Sequence, residues 1–270
     1  MSNTDVNFGG SIPGIYDRFL RPLIFEAYAE DMAQRIAGLA PRAILETAAG
    51  TGVVTARLAR MLKEGDTLVA TDLNPAMLAL AEKSISTPAV TFQPADATAL
   101  PFSDGSYDVV ASQFGIMFFP DKLKGCKEAL RVLRKGGTFL FNVWDKLAFN
   151  DLSSLVNDTT AKMFPGNAPD FMARVPFGFN DIDKIKAILK DAGFSKVTAD
   201  VVPRRSTAPA ARDPAIGFCQ GTPLRSEIEA RDGARLEEAT EKSAEAIAQK
   251  FGRGPIDAPM QAIVFTATRG

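Results

Sequence analysis

Between Ala43 and Trp144 short apolar runs alternate with amphipathic stretches, and this alternation constrains the fold more than any other feature of the chain. The runs Ala43-Ile44-Leu45-Glu46, Thr67–Asp72, Val90–Gln93, Asp108–Ser112 and Thr138–Trp144 are brief and nearly continuous in apolar residues. Strands that read this way are buried on both faces. Between them, Val53, Val54, Leu58, Met61 and Leu62 recur at helical spacing. Asn74-Pro75 opens a helix over 75–84, with Asn74 as N-cap and Pro75 at the first helical position. A further helix over 121–134 carries Leu123, Cys126, Ala129, Leu130 and Leu133. A helix over 22–38 precedes the first strand, and Lys135-Gly136-Gly137 reads as a helix stop and turn before the fifth. The fold class this predicts is α/β: a doubly wound, mostly parallel sheet covered by helices on both faces.

The rhythm changes beyond residue 145. Residues 146–178 are Phe-, Pro-, Gly- and Asn-rich connections around one helix, and Ile182, Ile185, Ile188 and Leu189 mark a helix ending at Gly193. Lys196–Val202 reads as a strand, 203–258 as mostly helical, and Gln261–Thr266 as the last strand. The run from Glu237 to Lys250 has the charge pattern of a solvated helix face. One domain is expected over 1–270: N-terminal cover helices 1–39, a core 40–145, a connection 146–180, a helical lid 203–258 inserted late, and a final strand 259–270.

The 270 residues include no histidine, which removes imidazole bases, His-containing triads and most zinc sites. Lys plus Arg number 31 against 32 for Asp plus Glu, a net charge of -1 that argues against bulk binding to nucleic acid or an anionic membrane. Cys126 and Cys219 stand in no CxxC arrangement and read as reduced, buried thiols of a cytoplasmic protein. Residues 1–14 have neither a basic n-region nor an apolar h-region, so no secretory signal is expected there. Phe114–Pro120 is too short an apolar run to span a bilayer.

The chemistry-bearing residues gather at strand ends. Glu46-Thr-Ala-Ala-Gly50-Thr-Gly52 falls at a strand-to-helix turn, where small residues let the backbone approach a ligand and the helix N-terminus favours an anion. Glu46, Asp72, Asp96 and Gln113 follow successive strands, and doubly wound sheets bind ligands at those ends. A dinucleotide fingerprint needs a third glycine where Thr55 stands, although Asp72 would still suit a ribose diol. A nicotinamide oxidoreductase therefore shares the fold without the full motif.

The joint register resembles the class I S-adenosylmethionine-dependent methyltransferases, close to the ubiquinone/menaquinone-biosynthesis type. The matching elements are Glu46–Gly52, with Ala48 where the family has its first glycine; Ala70-Thr-Asp72-Leu73-Asn-Pro-Ala-Met77-Leu78; Asp96-Ala97-Thr-Ala-Leu100-Pro101-Phe102; Phe102–Phe114; and Ala129-Leu-Arg131-Val-Leu133-Arg-Lys135-Gly136-Gly137. The resemblance implies a Rossmann-like seven-stranded sheet whose last strand is antiparallel, with S-adenosyl-L-methionine as cofactor and S-adenosyl-L-homocysteine as its product. It implies that Asp72 takes the ribose hydroxyls, Leu73 and Met77 cover the adenine, and Asp96 and the Ala97 amide meet its edge. Ala48, Gly50, Thr51 and Gly52 would pass close to the methionine part, Glu46 would lie near its ammonium, and Gln113 and Phe114 near the sulfonium.

Acceptor recognition is expected outside 40–145. The segment Ser11–Pro22 resembles the N-terminal cover of related methyltransferases, and Tyr16 is the candidate catalytic residue closing over the cofactor. Asp17 and Asp181 are the other candidate bases. Met117, Trp144, Thr222 and Arg225 are candidate acceptor contacts, whereas Phe118 and Phe119 read as core under the 121–134 helix. The expected substrate is a small or mid-sized, partly apolar molecule, with no nucleic acid, membrane or metal, on a monomer or homodimer. A nicotinamide oxidoreductase and a non-catalytic S-adenosylmethionine-binding module are the alternatives.

Overall fold

The computed structural model describes Asp5 and residues 8–270, so the parts of the signal-segment and cover expectations that fall on residues 1–4, 6 and 7 lie outside the described residues. Its strands are β1 (Ala43–Thr47), β2 (Thr67–Asp72), β3 (Val90–Pro94), β4 (Tyr107–Gln113), β5 (Leu133–Trp144), β6 (Lys196–Ala208) and β7 (Ile256–Thr268). They form one seven-stranded sheet in the order β3-β2-β1-β4-β5-β7-β6. The first five are parallel. β7 runs against β5: the Asp145 amide donates to the Gln261 carbonyl, while nine residues earlier the Gly136 amide donates to the Arg269 carbonyl. Strand order reverses between β1 and β4, which places the switch point of the sheet beside the Glu46–Gly52 turn.

The helices follow local chemistry closely. α1 (Ile12–Ile15) leads through a π-helical stretch, Tyr16–Phe25, into α2 (Glu26–Ala37). The helix expected over 22–38 therefore begins ten residues earlier. Pro22, which has no N–H to donate, is accommodated by the wider winding instead of starting the helix. α3 (Val53–Ala59) stops before Met61, which is 39% exposed rather than on the buried face. α4 (Pro75–Ser84) has its N-cap in Asn74, whose side chain accepts from the Ala76 amide. α5 (Lys122–Val132) is capped in the same way by Asp121, and Phe119 packs against Gly125 on its inner side.

Two helices, α6 (Asp151–Met163) and α7 (Phe171–Arg174), occupy the connection where one was expected. α8 (Ile182–Ala192) ends on Gly193 at φ +107°, and α9 (Arg212–Gln220), α10 (Leu224–Asp232) and α11 (Leu236–Phe251) follow β6. Two expectations are corrected here. Lys135-Gly136-Gly137 is not a turn before the strand but an irregular stretch inside β5: Tyr107 pairs with Leu133 and Val109 with Thr138, so β5 carries extra residues there. β6 continues to Ala208 and β7 begins at Ile256, so the ends of the 203–258 segment are strand.

The chain divides into two compact units. One takes Met1–Ala27, Trp144–Phe179 and Pro203–Gln261; the other takes Tyr28–Val143, Asn180–Val202 and Ala262–Gly270. Cys126 and Cys219 are both free and buried, and burial pushes their thiols up to about 12 and about 11. Among the described residues, no helix is long and apolar enough to cross a membrane.

Candidate functional site

Parallel pairing sets the residues of adjacent strands on a common face, so the register shows which strand-end side chains meet. Glu46 lies opposite Ala70 in β2 and Ala111 in β4. Two residues further along, Asp72 and Gln113 return to that face, and Gln113 lies opposite Asn142 in β5. Glu46, Asp72, Gln113 and Asn142 thus line one face across four neighbouring strands at their C-terminal ends.

The turn that follows β1 carries three left-handed residues at alternate positions: Ala48 at φ +54°, Gly50 at +57° and Gly52 at +81°. A side chain at Gly52 would stand 2.8 Å from the Ala81 Cβ of α4, so glycine is required there for space as well as conformation. Ala48 holds a backbone state costly to a residue with a Cβ. Its methyl group lies where a Cβ on Gly115 would come within 2.5 Å, so the alanine is tolerated because its neighbour is glycine. Thr51 is buried within this turn.

Glu46 is 2% exposed and accepts from the Thr55 hydroxyl of α3 at 2.6 Å. Burial pushes its carboxyl up to about 8, the nearby Asp72 charge adds to the rise, and the Thr55 hydrogen bond opposes it. Asp72 is half-buried; Oδ2 accepts from the Gly50 amide and Oδ1 from the Asn74 amide, both at 2.8 Å. Its carboxyl is also raised, by desolvation against these amide bonds. Each oxygen retains a further lone pair, so the group can still take two hydroxyl donors. Leu73 beside it is 63% exposed and Met77 on α4 is buried. Asp96 is exposed, and its Oδ1 accepts from the Thr98 amide and hydroxyl at 2.7 and 2.8 Å, which fixes the turn containing Ala97.

At the end of β4 the buried Phe114 is itself left-handed, at φ +51°. Its amide donates to Asn142 twice, to the main-chain oxygen at 3.2 Å and to Oδ1 at 2.9 Å. Its ring meets Tyr28 edge-on at 5.4 Å, and the Tyr28 hydroxyl donates to the Val202 carbonyl. Asn142 is 1% exposed, and its Nδ2 has no hydrogen-bond partner among the described residues. No sequence signal singled it out. Met117, one turn on, is buried.

The remaining candidates lie in the other unit. Tyr16 stacks on Phe25 with 4.9 Å between centroids, Phe25 meets Trp144 at 6.2 Å, and Trp144 meets Phe177 at 5.9 Å. Thr222 donates to the Phe218 carbonyl and accepts from the Leu224 amide, while Arg225 binds Glu229 and the Ser11 hydroxyl. Asp17 pairs with Arg21. Asp181, in the unit that holds the strand-end row, caps α8. Part of the sequence motif is scaffold: Arg131 holds the Leu100 and Phe102 carbonyls, Glu128 accepts from the Leu100 amide, and Asp108 accepts from the Arg42 and Ala43 amides at the start of β1.

A seven-stranded sheet in this order, with its acidic and glycine residues at the switch point, defines the class I S-adenosylmethionine-dependent methyltransferase fold. The model of the ubiE/COQ5 methyltransferase family matches residues 22–202, and the chain belongs to that family. It is 30% identical over 167 residues to the ubiquinone/menaquinone biosynthesis C-methyltransferase UbiE of Escherichia coli, an alignment covering 57% of this chain. The chain spans 66% of the length of that relative. Among solved structures it is similar to Haemonchus contortus phosphoethanolamine N-methyltransferase 2, crystallised with phosphomonomethylethanolamine and S-adenosylhomocysteine. That match has a TM-score of 0.60 at 16% identity and covers 98% of this chain and 59% of the other. It is also similar to the YcgJ protein of Bacillus subtilis, with a TM-score of 0.55 at 18% identity over 89% of this chain and 98% of the other. At these identities the likeness is one of fold.

Proposed function

We propose that the protein transfers a methyl group from S-adenosyl-L-methionine to a small or mid-sized, partly apolar acceptor. The observation that carries the reading is the row of strand-end groups, in which the half-buried Asp72 carboxyl, the buried Glu46 carboxyl and the Gln113 amide stand side by side across β2, β1 and β4. Their spacing and chemistry suit a ligand with a cation at one end and a ribose at the other. The cofactor, when bound, would supply an activated methyl group on a sulfonium, open to in-line displacement by a nucleophilic atom of the acceptor.

The residues of the chain have the tasks of binding, alignment and exclusion of water. Asp72 accepts from the ribose hydroxyls through the lone pairs left by its two amide bonds. Leu73 and Met77 cover the adenine, and Asp96 with the Ala97 amide reads its edge. The left-handed turn at Ala48, Gly50 and Gly52, with Thr51, brings main chain against the methionine part, and Glu46 as a carboxylate balances its ammonium. Gln113 and Phe114 flank the sulfonium, where an aromatic face favours a cation. On the acceptor side, Tyr16 is the candidate catalytic residue, and Met117, Trp144, Thr222 and Arg225 are the candidate contacts. The protein acts in the cytoplasm as a monomer or homodimer, without nucleic acid or membrane.

Calorimetric titration with S-adenosylhomocysteine and with NADH tests the cofactor assignment. Binding of S-adenosylhomocysteine is expected; binding of NADH without it overturns the reading. Transfer of labelled methyl into a metabolite extract, read by mass, tests the acceptor class. Label appearing in protein or RNA instead overturns that class.

A further inference from the structure

Among the buried side-chain atoms at the site that lack a hydrogen-bond partner among the described residues, one is a donor that belongs to an amide, Asn142 Nδ2. The Phe114 amide needs an acceptor, and the Asn142 side chain supplies it through Oδ1 at 2.9 Å. This contact fixes which way the amide group points, so the group left over is the Nδ2 donor. Asn142 is 1% exposed, and Nδ2 is buried with no partner among the described residues. A buried donor left unpaired is costly, and in a native structure it calls for an explanation, of which a partner supplied on binding is one.

Register says which ligand atom that is. Gln113 and Asn142 are paired positions on the face that carries Glu46 and Asp72. Along the sheet the order is β2, β1, β4, β5, so Asn142 stands one strand beyond the position assigned to the sulfonium and away from the adenosine side. Adjacent strands are about 4.8 Å apart, so Asn142 stands one strand spacing from that position. Resting on the methyltransferase reading, we propose that Asn142 recognises the methyl acceptor: Nδ2 donates to a carbonyl, phenol or phenolate oxygen of that molecule, while Oδ1 holds Phe114 in its left-handed state. The same amide thereby couples acceptor recognition to the residue flanking the cofactor. A neutral donor suits an oxygen that is neutral or anionic and rejects an ammonium, so the acceptor class is an oxygen-bearing one.

The test uses the full chain labelled with 15N in its asparagine side chains, with the Asn142 signal assigned by its loss in Asn142→Asp. S-adenosylhomocysteine is added to saturation, then phenol, acetylacetone or toluene. The expected result is that phenol or acetylacetone shifts the Asn142 amide protons of the loaded protein and toluene does not. Asn142→Asp keeps an acceptor for the Phe114 amide, so it binds S-adenosylhomocysteine within about threefold of wild type while losing at least about tenfold in fragment affinity. Asn142→Leu loses both, and if it fails to fold the aspartate variant decides alone. Three results overturn the proposal: the same shift with S-adenosylhomocysteine alone, equal response to toluene and phenol, or no response to either oxygen fragment. Failure of wild type to bind S-adenosylhomocysteine is a separate outcome, which removes the methyltransferase reading on which the proposal rests.

Discussion

Glu46 is buried against Thr55 and near Asp72, and its carboxyl is pushed up to about 8. In the free protein at pH 7 it is therefore mostly protonated. A ligand that brings an ammonium to it favours the carboxylate, so binding must expel a proton. Each pH unit below about 8 then adds about 1.4 kcal/mol to the cost of binding, a factor of ten in affinity. The dissociation constant of S-adenosylhomocysteine should fall about tenfold between pH 6 and pH 7, about fivefold more by pH 8, and level off above that. Calorimetry at pH 6.5 in buffers of different ionisation enthalpy should report release of close to one proton. Glu46→Gln keeps an oxygen for Thr55 and should abolish both the slope and the release. Stability moves in the opposite direction. An unfolded glutamate titrates near 4.3, so the advantage of the neutral folded form is complete below that pH and is lost as pH rises through about 8. Wild type should therefore lose stability relative to Glu46→Gln over that window. An affinity that is flat between pH 6 and 7, or an equal slope in Glu46→Gln, refutes the argument.

Four further outcomes follow from geometry. Ala48→Gly removes a left-handed alanine at φ +54° and should raise stability by about 1 kcal/mol in urea unfolding. Gly115→Ala sets a Cβ 2.5 Å from the Ala48 Cβ and 2.7 Å from the Ser112 Oγ; it should destabilise by about 2 kcal/mol or more, and by less in the Ala48→Gly background. Asp72→Asn should weaken S-adenosylhomocysteine binding by at least about tenfold, read by calorimetry, and should also cost about 1–3 kcal/mol in urea unfolding, because its amide nitrogen would face the Gly50 or Asn74 N–H. Tyr28→Phe leaves the Val202 carbonyl without its donor and should cost about 1 kcal/mol in urea unfolding.

Where local chemistry decides, the sequence could be read to the residue. β2 and α4 fall on Thr67–Asp72 and Pro75–Ser84 as expected, because the strand is a short apolar run and the helix is opened by an Asn-Pro pair. The irregular stretch in β5 shows the opposite case. Gly-Gly after a helix is the local signature of a turn and of a bulge alike, and the choice is made by Arg269, just past the end of β7, which exchanges main-chain hydrogen bonds with Gly136 and Gly137. The helix expected over 22–38 starts earlier for a similar reason: apolar spacing does not show where the helix begins, and Pro22 sits inside a π-helical stretch. The strand-end acids were legible because each follows its own strand. Asn142 was not, since an asparagine in a strand reveals its face only when the register with β4 is known.

The absence of histidine takes on a different weight beside this geometry. Three groups were candidates to remove a proton from the acceptor, and two already have structural partners. Asp17 is paired with Arg21, and Asp181 accepts from the Asp183 and Lys184 amides at the start of α8. The buried carboxyl that does titrate near neutrality, Glu46, belongs to the cofactor end of the row and must be ionised to serve there. A chain so arranged is suited to an acceptor that arrives nucleophilic, or that loses its proton to solvent or to Tyr16. What it must then supply is orientation, and a fixed neutral donor at the end of β5 orients an oxygen without competing for the proton. On this argument removal of Asp17 or Asp181 should change stability more than the pH dependence of turnover. A variant of either that shifts the pH profile of methyl transfer while leaving the unfolding transition in place would show that a base had been overlooked.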